Sequence, residues 1–382
     1  MAWSLLAMAA SLVVVISAGA QAQADPPRHR ARRLLREVPV IDGHNDYPWE
    51  VRQKAALDLA RLDLTRSQPS IMTDFARLAA GGVGGQFWSV YVPSPPAGTD
   101  PAVSVTQVLE QIDVVHRMIA RYPTRLALAL TADDVERAQK QGKIASLIGL
   151  EGGHAINSSL ALLRQMHRLG ARYMTLTHSL NVPWADSATD RAALDGLSAF
   201  GEDVVREMNR LGMLVDLSHT SPATMADAIR VTTAPVIFSH SSARAVTDVP
   251  RNVPDNVLRM LPKNGGVVMV TFVPQFISRA VVEYNARDAA WRAANPAPRA
   301  TLSQVADHID HIRKVAGIDH VGLGGDFDGI TTVVEGLEDV STYPALMAEL
   351  LRRGYSDEDI RKIAGRNILR VMRAAETAAR NQ

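Results

Sequence analysis

The chain has 382 residues, 47% hydrophobic and 21% charged, an ordinary globular composition that excludes a disordered chain and a charged coiled coil. Lys plus Arg number 41 and Asp plus Glu 40, so there is no basic excess and we expect no nucleic-acid partner. The sequence contains no cysteine, which excludes disulfides, thiol catalysis and cysteine-ligated metals. Any metal must therefore be held by His, Asp and Glu.

Residues 1–24 carry no charged side chain and are typical of a secretory signal peptide. The apolar or small run 5–20 ends in a small-residue triplet at 18–20, and a second such triplet follows at 22–24. An uncleaved N-terminal anchor is the alternative, although the run is short for a membrane span. We expect an exported protein, periplasmic or secreted and without a stable membrane anchor. A bacterial periplasm suits a chain without cysteine, because that compartment is oxidising.

Short apolar runs alternate with amphipathic stretches along the rest of the chain. The apolar runs predict strands at residues 38–44, 86–92, 144–151, 173–178, 213–219, 235–240, 266–272 and 320–326. The amphipathic stretches predict helices at residues 104–122, 158–169, 194–211, 222–231, 254–262, 303–315, 343–353 and 357–375. Strands that are buried on both faces and alternate with helices indicate an α/β fold with a parallel sheet.

Eight such strands predict a closed (β/α)8 barrel of the TIM type, with a doubly wound open sheet as the alternative. Residues 25–382 would form this single domain with a few insertions. The run at 126–130 would be a ninth strand outside the barrel. The stretch 279–301 would be an inserted surface excursion, partly helical around 286–294.

Residue types that bind metals follow the apolar part of six predicted strands, at the end where the active sites of such barrels lie. His44 and Asp46 are two residues apart on an extended strand, so both side chains could bind one ion. His219 and His240 on neighbouring strands could hold a second ion, and Glu151 could bridge the pair. This ligand set suits Zn²⁺, Mn²⁺ or Co²⁺, which would polarise a carbonyl and generate hydroxide near neutral pH.

The remaining candidates carry a weaker signal. His154 lies past a strand end, which favours a supporting position over metal binding. Asp328 precedes Gly329, which favours a turn. Surface or packing positions are predicted for His29, His116, His167, His308, His311 and His320. The chain has no His-Glu-x-x-His, Gly-x-Ser-x-Gly or P-loop motif that would indicate another chemistry.

Several of these segments resemble the membrane (renal) dipeptidase family, whose members are binuclear zinc peptidases with an amidohydrolase-like barrel. The resemblance covers about residues 30–375 in the family's order. It is carried by Asp-Gly-His-Asn-Asp at 42–46, Glu-Gly-Gly-His at 151–154, residues 176–186, Asp-Leu-Ser-His at 216–219, Ser-His-Ser-Ser-Ala at 239–243, Arg-Asn-Val-Pro-Asp at 251–255 and Gly-Gly-Asp-Phe-Asp-Gly at 324–329.

The family resemblance implies two Zn²⁺ per subunit, one bound by His44 and Asp46 and the other by His219 and His240. Glu151 would bridge the two ions, so that a hydroxide between them attacks the peptide bond. The resemblance also implies a homodimer, although the cysteine link and the C-terminal anchoring tail of mammalian members are missing here.

The same resemblance implies roles for three residues that contact the substrate. His178 would stabilise the oxyanion that develops on the substrate carbonyl, and Arg251 would bind the C-terminal carboxylate of a dipeptide. Asp326 would take a proton from the bridging water and pass it to the leaving amine. The implied activity is that of a zinc-dependent dipeptidase tolerant of D-residues at the C-terminal position. Phe276 stands where we expect a tyrosine in mammalian members, which changes the expected substrate preference.

Two other functions fit the same ligands. A different binuclear amidohydrolase would act on a lactone, lactam or phosphoester and would not need Arg251 as a carboxylate clamp. A non-catalytic metal-binding or solute-binding protein of the cell envelope would not need Asp326. Replacement of Arg251 or Asp326 therefore separates the three functions.

Overall fold

The structure is a computed structural model that describes residues 26–95 and 100–381. The predicted signal peptide at residues 1–24 lies outside these ranges. Within them, no helix combines the length and the apolar character needed to cross a membrane.

All the strands of the described chain run parallel in one sheet. They are β1 (Val40–Asn45), β2 (Val83–Tyr91), β3 (Leu126–Leu128), β4 (Ile144–Glu151), β5 (Ala171–Thr175), β6 (Leu214–Asp216), β7 (Ile237–Ser241), β8 (Val267–Val270) and β9 (Val321–Leu323). The sheet closes because β9 pairs with β1 and because β2 pairs directly with β4 along residues 85–91 and 145–151. Closure confirms the predicted eight-stranded barrel and excludes the open sheet.

The short strand β3 lies outside the barrel, as the run at 126–130 predicted. It pairs only with the first three residues of β4, from Ile144 to Ser146. From Ile148 onward, the same edge of β4 pairs with β5, which continues the barrel.

Helices surround the barrel on its outer face. They are α1 (Pro26–Glu37), α2 (Tyr47–Ala55), α3 (Phe75–Gly81), α4 (Pro101–Arg121), α5 (Ala132–Lys140), α6 (Leu160–Arg168), α7 (Ala199–Leu211), α8 (Pro222–Val231), α9 (Asp255–Leu258), α10 (Leu261–Asn264), α11 (Pro274–Ile277), α12 (Arg279–Asn285), α13 (Ala289–Ala294), α14 (Leu302–Val315), α15 (Tyr343–Arg352), α16 (Asp357–Arg361) and α17 (Asn367–Arg380). A π-helical turn, Lys362–Arg366, joins the last two.

Three helix predictions need correction. The helix predicted at 194–211 begins only at Ala199, because Asp186 accepts hydrogen bonds from the backbone N–H groups of Leu194 and Gly196 and holds that stretch as a loop. The helix predicted at 254–262 is divided into α9 and α10, and Pro262 lies in the first turn of the second. The excursion 279–301 is helical from Arg279 onward as well as near its predicted helix.

Alternate strand residues fill the barrel interior. Ile41, Leu147, Tyr173, Ile237 and Met269 come from five strands and pack in one buried cluster. Their neighbours in sequence point outward beneath the helices, since successive side chains of a strand face opposite sides. The filled interior leaves the carboxyl ends of the strands as the place where a site can open.

Candidate metal centre

The side chains predicted as metal ligands or catalytic groups lie together at the carboxyl ends of the strands. They are His44 in β1, Asp46 just after it, Glu151 at the end of β4, His178 after β5, His219 after β6, His240 in β7 and Asp326 after β9. His178 and Asp326 are partly exposed, and the other five are buried. Residues distant in sequence meet here because all strands of the barrel point to one mouth.

The carboxylate of Glu151 lies between His44 on one side and the pair formed by His219 and His240 on the other. Its Oε2 is 3.5 Å from Nε2 of His44. Its Oε1 is 3.1 Å from Nε2 of His219 and 3.4 Å from Nε2 of His240. The two latter nitrogens are 3.0 Å apart. One carboxylate oxygen therefore faces each group, as a bridging ligand between two ions requires.

Two further carboxylates lie beside His44. Its Nε2 is 3.2 Å from Oδ2 of Asp46 and 4.0 Å from Oδ1 of Asp326. The donor atoms converge so closely that three sets of side chains could each hold a metal ion. These sets are His44 with Glu151 and His240, Glu151 with His178 and His219, and His44 with Asp46 and Asp326.

Unpaired buried atoms show that the cluster fits a cation. Nε2 of His44 and Oδ1 of Asp46 are buried without a hydrogen-bond partner among the described residues. Leaving such an atom unpaired costs about 1–3 kcal/mol, so buried polar atoms are nearly always paired. Three carboxylates in one small cluster also repel each other unless positive charge lies among them. The donors are imidazole nitrogens and carboxylate oxygens, which suit Zn²⁺, Mn²⁺ or Co²⁺.

A hydrogen bond behind His44 determines which ring nitrogen faces the cluster. The Tyr173 hydroxyl is 3.2 Å from the carbonyl oxygen of Gly43, to which it donates, and 2.9 Å from Nδ1 of His44. The tyrosine oxygen therefore accepts a hydrogen bond from Nδ1–H, which leaves Nε2 as the ring nitrogen that can bind a metal. Gly149 makes this contact possible, because a Cβ at that position would overlap the Tyr173 ring.

Ser239 orients His240 in the same way. Its Oγ donates to Oδ2 of Asp216 over 2.6 Å and lies 2.8 Å from Nδ1 of His240. Asp216 also accepts the hydroxyl of Thr175 at 2.5 Å and the backbone N–H groups of Ser239 and Ser218 at 2.8 Å and 3.1 Å. The carboxylate thus ties β5, β6 and β7 together and leaves Nε2 of His240 free for a metal.

A second buried carboxylate, Asp42, links the strands around β1 in the way that Asp216 links β5, β6 and β7. It accepts hydrogen bonds from the backbone N–H groups of His44 and Gly325 at 2.7 Å and 2.9 Å. It also accepts Nε2 of Gln86 at 2.9 Å and the hydroxyl of Tyr343. β1, β2 and the segment after β9 are therefore held in register around a candidate ligand.

The sequence alone does not point to two of these supporting residues, Tyr173 and Ser239. Tyr173 and Ser239 have no spacing that distinguishes them from ordinary strand residues. Asp42 and Asp216 do carry a signal, because each is an acidic residue two or three positions before a candidate ligand within an apolar strand.

The backbone is left-handed at two of the candidate residues. His219 has φ of 66° and Asp326 has φ of 62°, a region that costs residues other than glycine about 1 kcal/mol or more. Surrounding contacts hold both in place. The carbonyl of His219 accepts the hydroxyl of Thr177 at 3.1 Å, and the N–H of Asp326 donates to the carbonyl of His44 over 3.2 Å.

Burial keeps two candidate ligands neutral. It lowers the pKa of His219 and the pKa of His240 well below the ordinary value for histidine. The positive charge of Arg251 acts on both in the same direction. Metals bind the neutral imidazole, so both rings are in the binding form at neutral pH.

The pKa of Asp326 is shifted in the opposite direction, upward. Burial raises its pKa well above the ordinary value, and repulsion from Asp46 and Glu151 acts in the same direction, whereas His44 and Arg251 oppose it. A cation bound beside the carboxylate would favour its charged form. Its capacity to act as a base therefore depends on a filled metal centre.

Arg251, which lies in the loop after β7, brings a buried positive charge to the mouth. It is 5% exposed, and Nη2 donates to the carbonyl of His240 over 3.4 Å. Nη1 has no hydrogen-bond partner among the described residues. The guanidinium carbon lies 5.2 Å from the centre of the Phe276 ring. Burial lowers the pKa of Arg251 to about 10, so the group stays charged at neutral pH and can bind a carboxylate.

These groups line a cavity of about 460 Å³ at the barrel mouth. Trp49 and Tyr91 form one wall and contact each other edge to face, with ring centroids 4.8 Å apart. His178 lies against Tyr91, and its Nε2 is 3.7 Å from Oε1 of Glu151. The volume is in the range of small-molecule sites.

His154 and Asp328 lie outside the three donor sets. Nε2 of His154 is 3.0 Å from the carbonyl of Val92, and burial lowers its pKa to about 4. Asp328 accepts the backbone N–H of Met72 over 2.5 Å and so fastens one loop of the mouth to another. Each of these side chains therefore has a backbone partner outside the three donor sets.

A closed barrel whose mouth gathers imidazoles and carboxylates from several strands is the architecture of the amidohydrolase-like metal-dependent hydrolases. Comparison with known proteins narrows this class. A family model described as membrane dipeptidase, peptidase family M19, matches residues 28–382. The dipeptidase verJ of Clonostachys rogersoniana is 46% identical over 355 residues, which cover 91% of this chain and 87% of that protein.

Solved structures with the same fold are similar to this chain. The probable dipeptidase PvdM from Pseudomonas aeruginosa has the same fold, with a TM-score of 0.83 at 24% identity over 92% of this chain and 99% of that one. A metallopeptidase from Rhodobacter sphaeroides, liganded with a phosphinate mimic of the dipeptide L-Ala-D-Ala, gives a TM-score of 0.76 at 27% identity over 88% and 99%. The chain belongs to the membrane dipeptidase family, M19, and is a metallo-dipeptidase that hydrolyses peptide bonds.

Proposed function

We propose that this dipeptidase works with two zinc ions per subunit. His44 and Asp46 would hold one ion, His219 and His240 the other, and Glu151 would bridge them. The carboxylate of Glu151 carries the proposal, since one oxygen faces His44 and the other faces His219. Zinc ions held there would polarise the scissile carbonyl and make a water molecule nucleophilic near neutral pH.

Arg251 binds the C-terminal carboxylate of the dipeptide in this proposal. The supporting observation is its buried guanidinium, which lines the cavity and has an unpaired Nη1 among the described residues. A guanidinium can bind a carboxylate through two hydrogen bonds, which fixes the position of one substrate end. The clamp favours short peptides with a free C-terminus.

Two partly exposed residues handle charge and protons. Asp326 takes a proton from the attacking water and passes it to the leaving amine. His178 stabilises the oxyanion through its Nε2–H, in the tautomer whose Nδ1 accepts the Ser179 hydroxyl that lies 2.9 Å away. Together with Glu151, these residues form the proposed catalytic set.

The proposed substrates include dipeptides with a D-residue at the C-terminal position. The phosphinate that mimics L-Ala-D-Ala in the Rhodobacter sphaeroides relative supports this choice. Phe276 is the cavity residue that packs against Arg251, so its ring lies where the C-terminal residue would bind.

Metal analysis combined with a dipeptide assay tests the proposal. Elemental analysis of the purified protein should find two zinc ions per chain. Hydrolysis of L-Ala-L-Ala and L-Ala-D-Ala should stop after dialysis against a chelator and return when Zn²⁺, Mn²⁺ or Co²⁺ is added. Unchanged turnover in the metal-free protein, or one ion per chain in the active protein, would contradict it.

We also propose that residues 1–24 direct export and are removed, and that the mature enzyme is a periplasmic or secreted homodimer. The absence of charge from these residues and the small-residue triplets at 18–20 and 22–24 support export. N-terminal sequencing of the protein from the exported fraction should begin at Asp25, and light scattering should give twice the chain mass. A chain that keeps its first residues, or a monomer, would contradict the respective part.

A further inference from the structure

The cavity at the barrel mouth shares part of its lining with a second cavity of about 550 Å³. The residues that line both cavities are Glu50, Asp328, Ile330 and Thr331. Gly329, which precedes two of them, packs against the carboxylates of Asp46 and Asp326, and a Cβ there would overlap both. The second cavity therefore opens beside the candidate catalytic carboxylates.

This second cavity is acidic. Its charged lining residues are Glu50, Asp328, Glu338 and Asp339 against Lys54 and Arg77. The two basic groups already have acidic partners, since Lys54 pairs with Glu50 and Arg77 lies 3.5 Å from Asp339. The lining keeps a net negative charge after these pairs are counted.

Asp328 gives independent evidence for a missing cationic partner. It is 6% exposed, and Oδ1 accepts the backbone N–H of Met72. The Thr73 hydroxyl opposes the rise that burial causes in the pKa of this carboxylate, but Oδ2 is left without a close hydrogen-bond partner within the described part of the chain, and Asp328 lines both cavities. A buried carboxylate oxygen without a partner is costly, and an approaching ammonium or guanidinium group would relieve that cost.

Arg251 and the residues shared by the two cavities follow different strands of the barrel. Arg251 follows β7 and packs against Phe276, which follows β8. Glu50 and Asp328 follow β1 and β9, on the side of Asp326. Because β7, β8, β9 and β1 follow one another around the barrel, a dipeptide held by its C-terminal carboxylate at Arg251 would extend along this arc of the rim towards Glu50.

We propose that the second cavity binds the side chain of the N-terminal residue and favours the long cationic side chains of lysine and arginine, with Glu50 as a specificity-determining residue. This inference rests on the proposed binding of the C-terminal carboxylate by Arg251. The aliphatic stem of the substrate side chain passes Ile330, and its charged end reaches the acidic lining.

The test compares kcat/KM for Lys-Ala and norleucyl-Ala, whose N-terminal side chains have similar stems but differ in charge. The native enzyme should prefer Lys-Ala about fivefold, the upper range for a partly exposed ion pair, and added salt should reduce the preference. Glu50→Gln should bring the ratio close to one. Glu283→Gln, which removes an exposed glutamate outside both cavities, is the matched control and should keep the native ratio.

A second variant acts in the opposite direction and keeps the proposal testable if Glu50→Gln fails to fold. Lys54→Met frees Glu50 from its intramolecular partner and should increase the preference for Lys-Ala. Equal kcat/KM for the two dipeptides in the native enzyme, or a ratio unaffected by both variants, would overturn the inference while leaving the proposed function standing. Failure to cleave either dipeptide would overturn both.

Discussion

On one side of the barrel mouth, after β1 and β9, lie the carboxylates of Asp46, Glu50 and Asp326. Next to them on the rim, after β8 and β7, the buried guanidinium of Arg251 stacks on Phe276. A dipeptide carries an ammonium group at one end and a carboxylate at the other, so in the proposed binding mode these two parts of the rim would accept it in one direction. The loops after the strands would then orient the substrate, whereas the barrel strands supply a frame that is similar all round.

Asp326→Asn tests the acidic side and should have the largest effect. The amide cannot accept a proton from water, so kcat on L-Ala-D-Ala should fall about 10²–10⁴-fold, the usual contribution of a general base. Elemental analysis should find the native metal content. Ordinary turnover in this variant would remove Asp326 from proton transfer and leave the acidic side with a purely electrostatic role.

Arg251→Met tests the basic side. Loss of a charge-assisted pair with the substrate carboxylate should lower kcat/KM about 100-fold, while methionine keeps part of the side-chain bulk. The native enzyme should show a similar loss on a dipeptide with a C-terminal amide, and the variant should treat acid and amide alike. A native enzyme that cleaves both equally would contradict the assigned direction of binding.

Ser239→Ala tests the support of one proposed metal ligand, His240. Without the hydrogen bond between Nδ1 of His240 and Oγ of Ser239, the affinity for the ion that His240 would bind should fall about tenfold, as is usual when a supporting group is removed. Competition with a chelator measures this change. Ser241→Ala is the control, because that hydroxyl contacts Ser218 and not the imidazole. Equal losses in both variants would show a general packing effect.

Phe276→Tyr should have the smallest effect. The guanidinium of Arg251 can stack on either ring, so kcat/KM should change by about threefold or less. Parallel assays with L-Ala-L-Ala and L-Ala-D-Ala measure whether the added hydroxyl alters the preference between them. A change of more than about tenfold would show that the added hydroxyl itself makes or breaks a polar contact with the substrate.

The barrel and the positions of the candidate ligands could be predicted because both depend on local patterns. His240, for example, ends an apolar run of strand length, and a parallel strand must present its last residues at the common mouth. The number of such runs favoured a closed sheet over an open one, and the pairings of β9 with β1 and of β2 with β4 decide between them. The same reasoning located Glu151 and His219 from the strands that precede them.

The support of the ligands could not be predicted, because it depends on contacts between distant residues. Tyr173 reaches His44 across 129 positions of sequence, and nothing in its own strand marks it. The late start of α7 depends on the hydrogen bonds of Asp186 within an irregular loop. The stacking of Arg251 on Phe276 likewise depends on how the loop after β7 meets the short helix α11.

The glycine at position 149 has a consequence beyond its own strand. Its hydrogen atom leaves the space that the Tyr173 ring occupies, and that ring holds the imidazole of His44. An added methyl group at this position would displace the tyrosine and let His44 rotate. Catalytic activity would then be lost through a substitution at a residue that has no side-chain functional group.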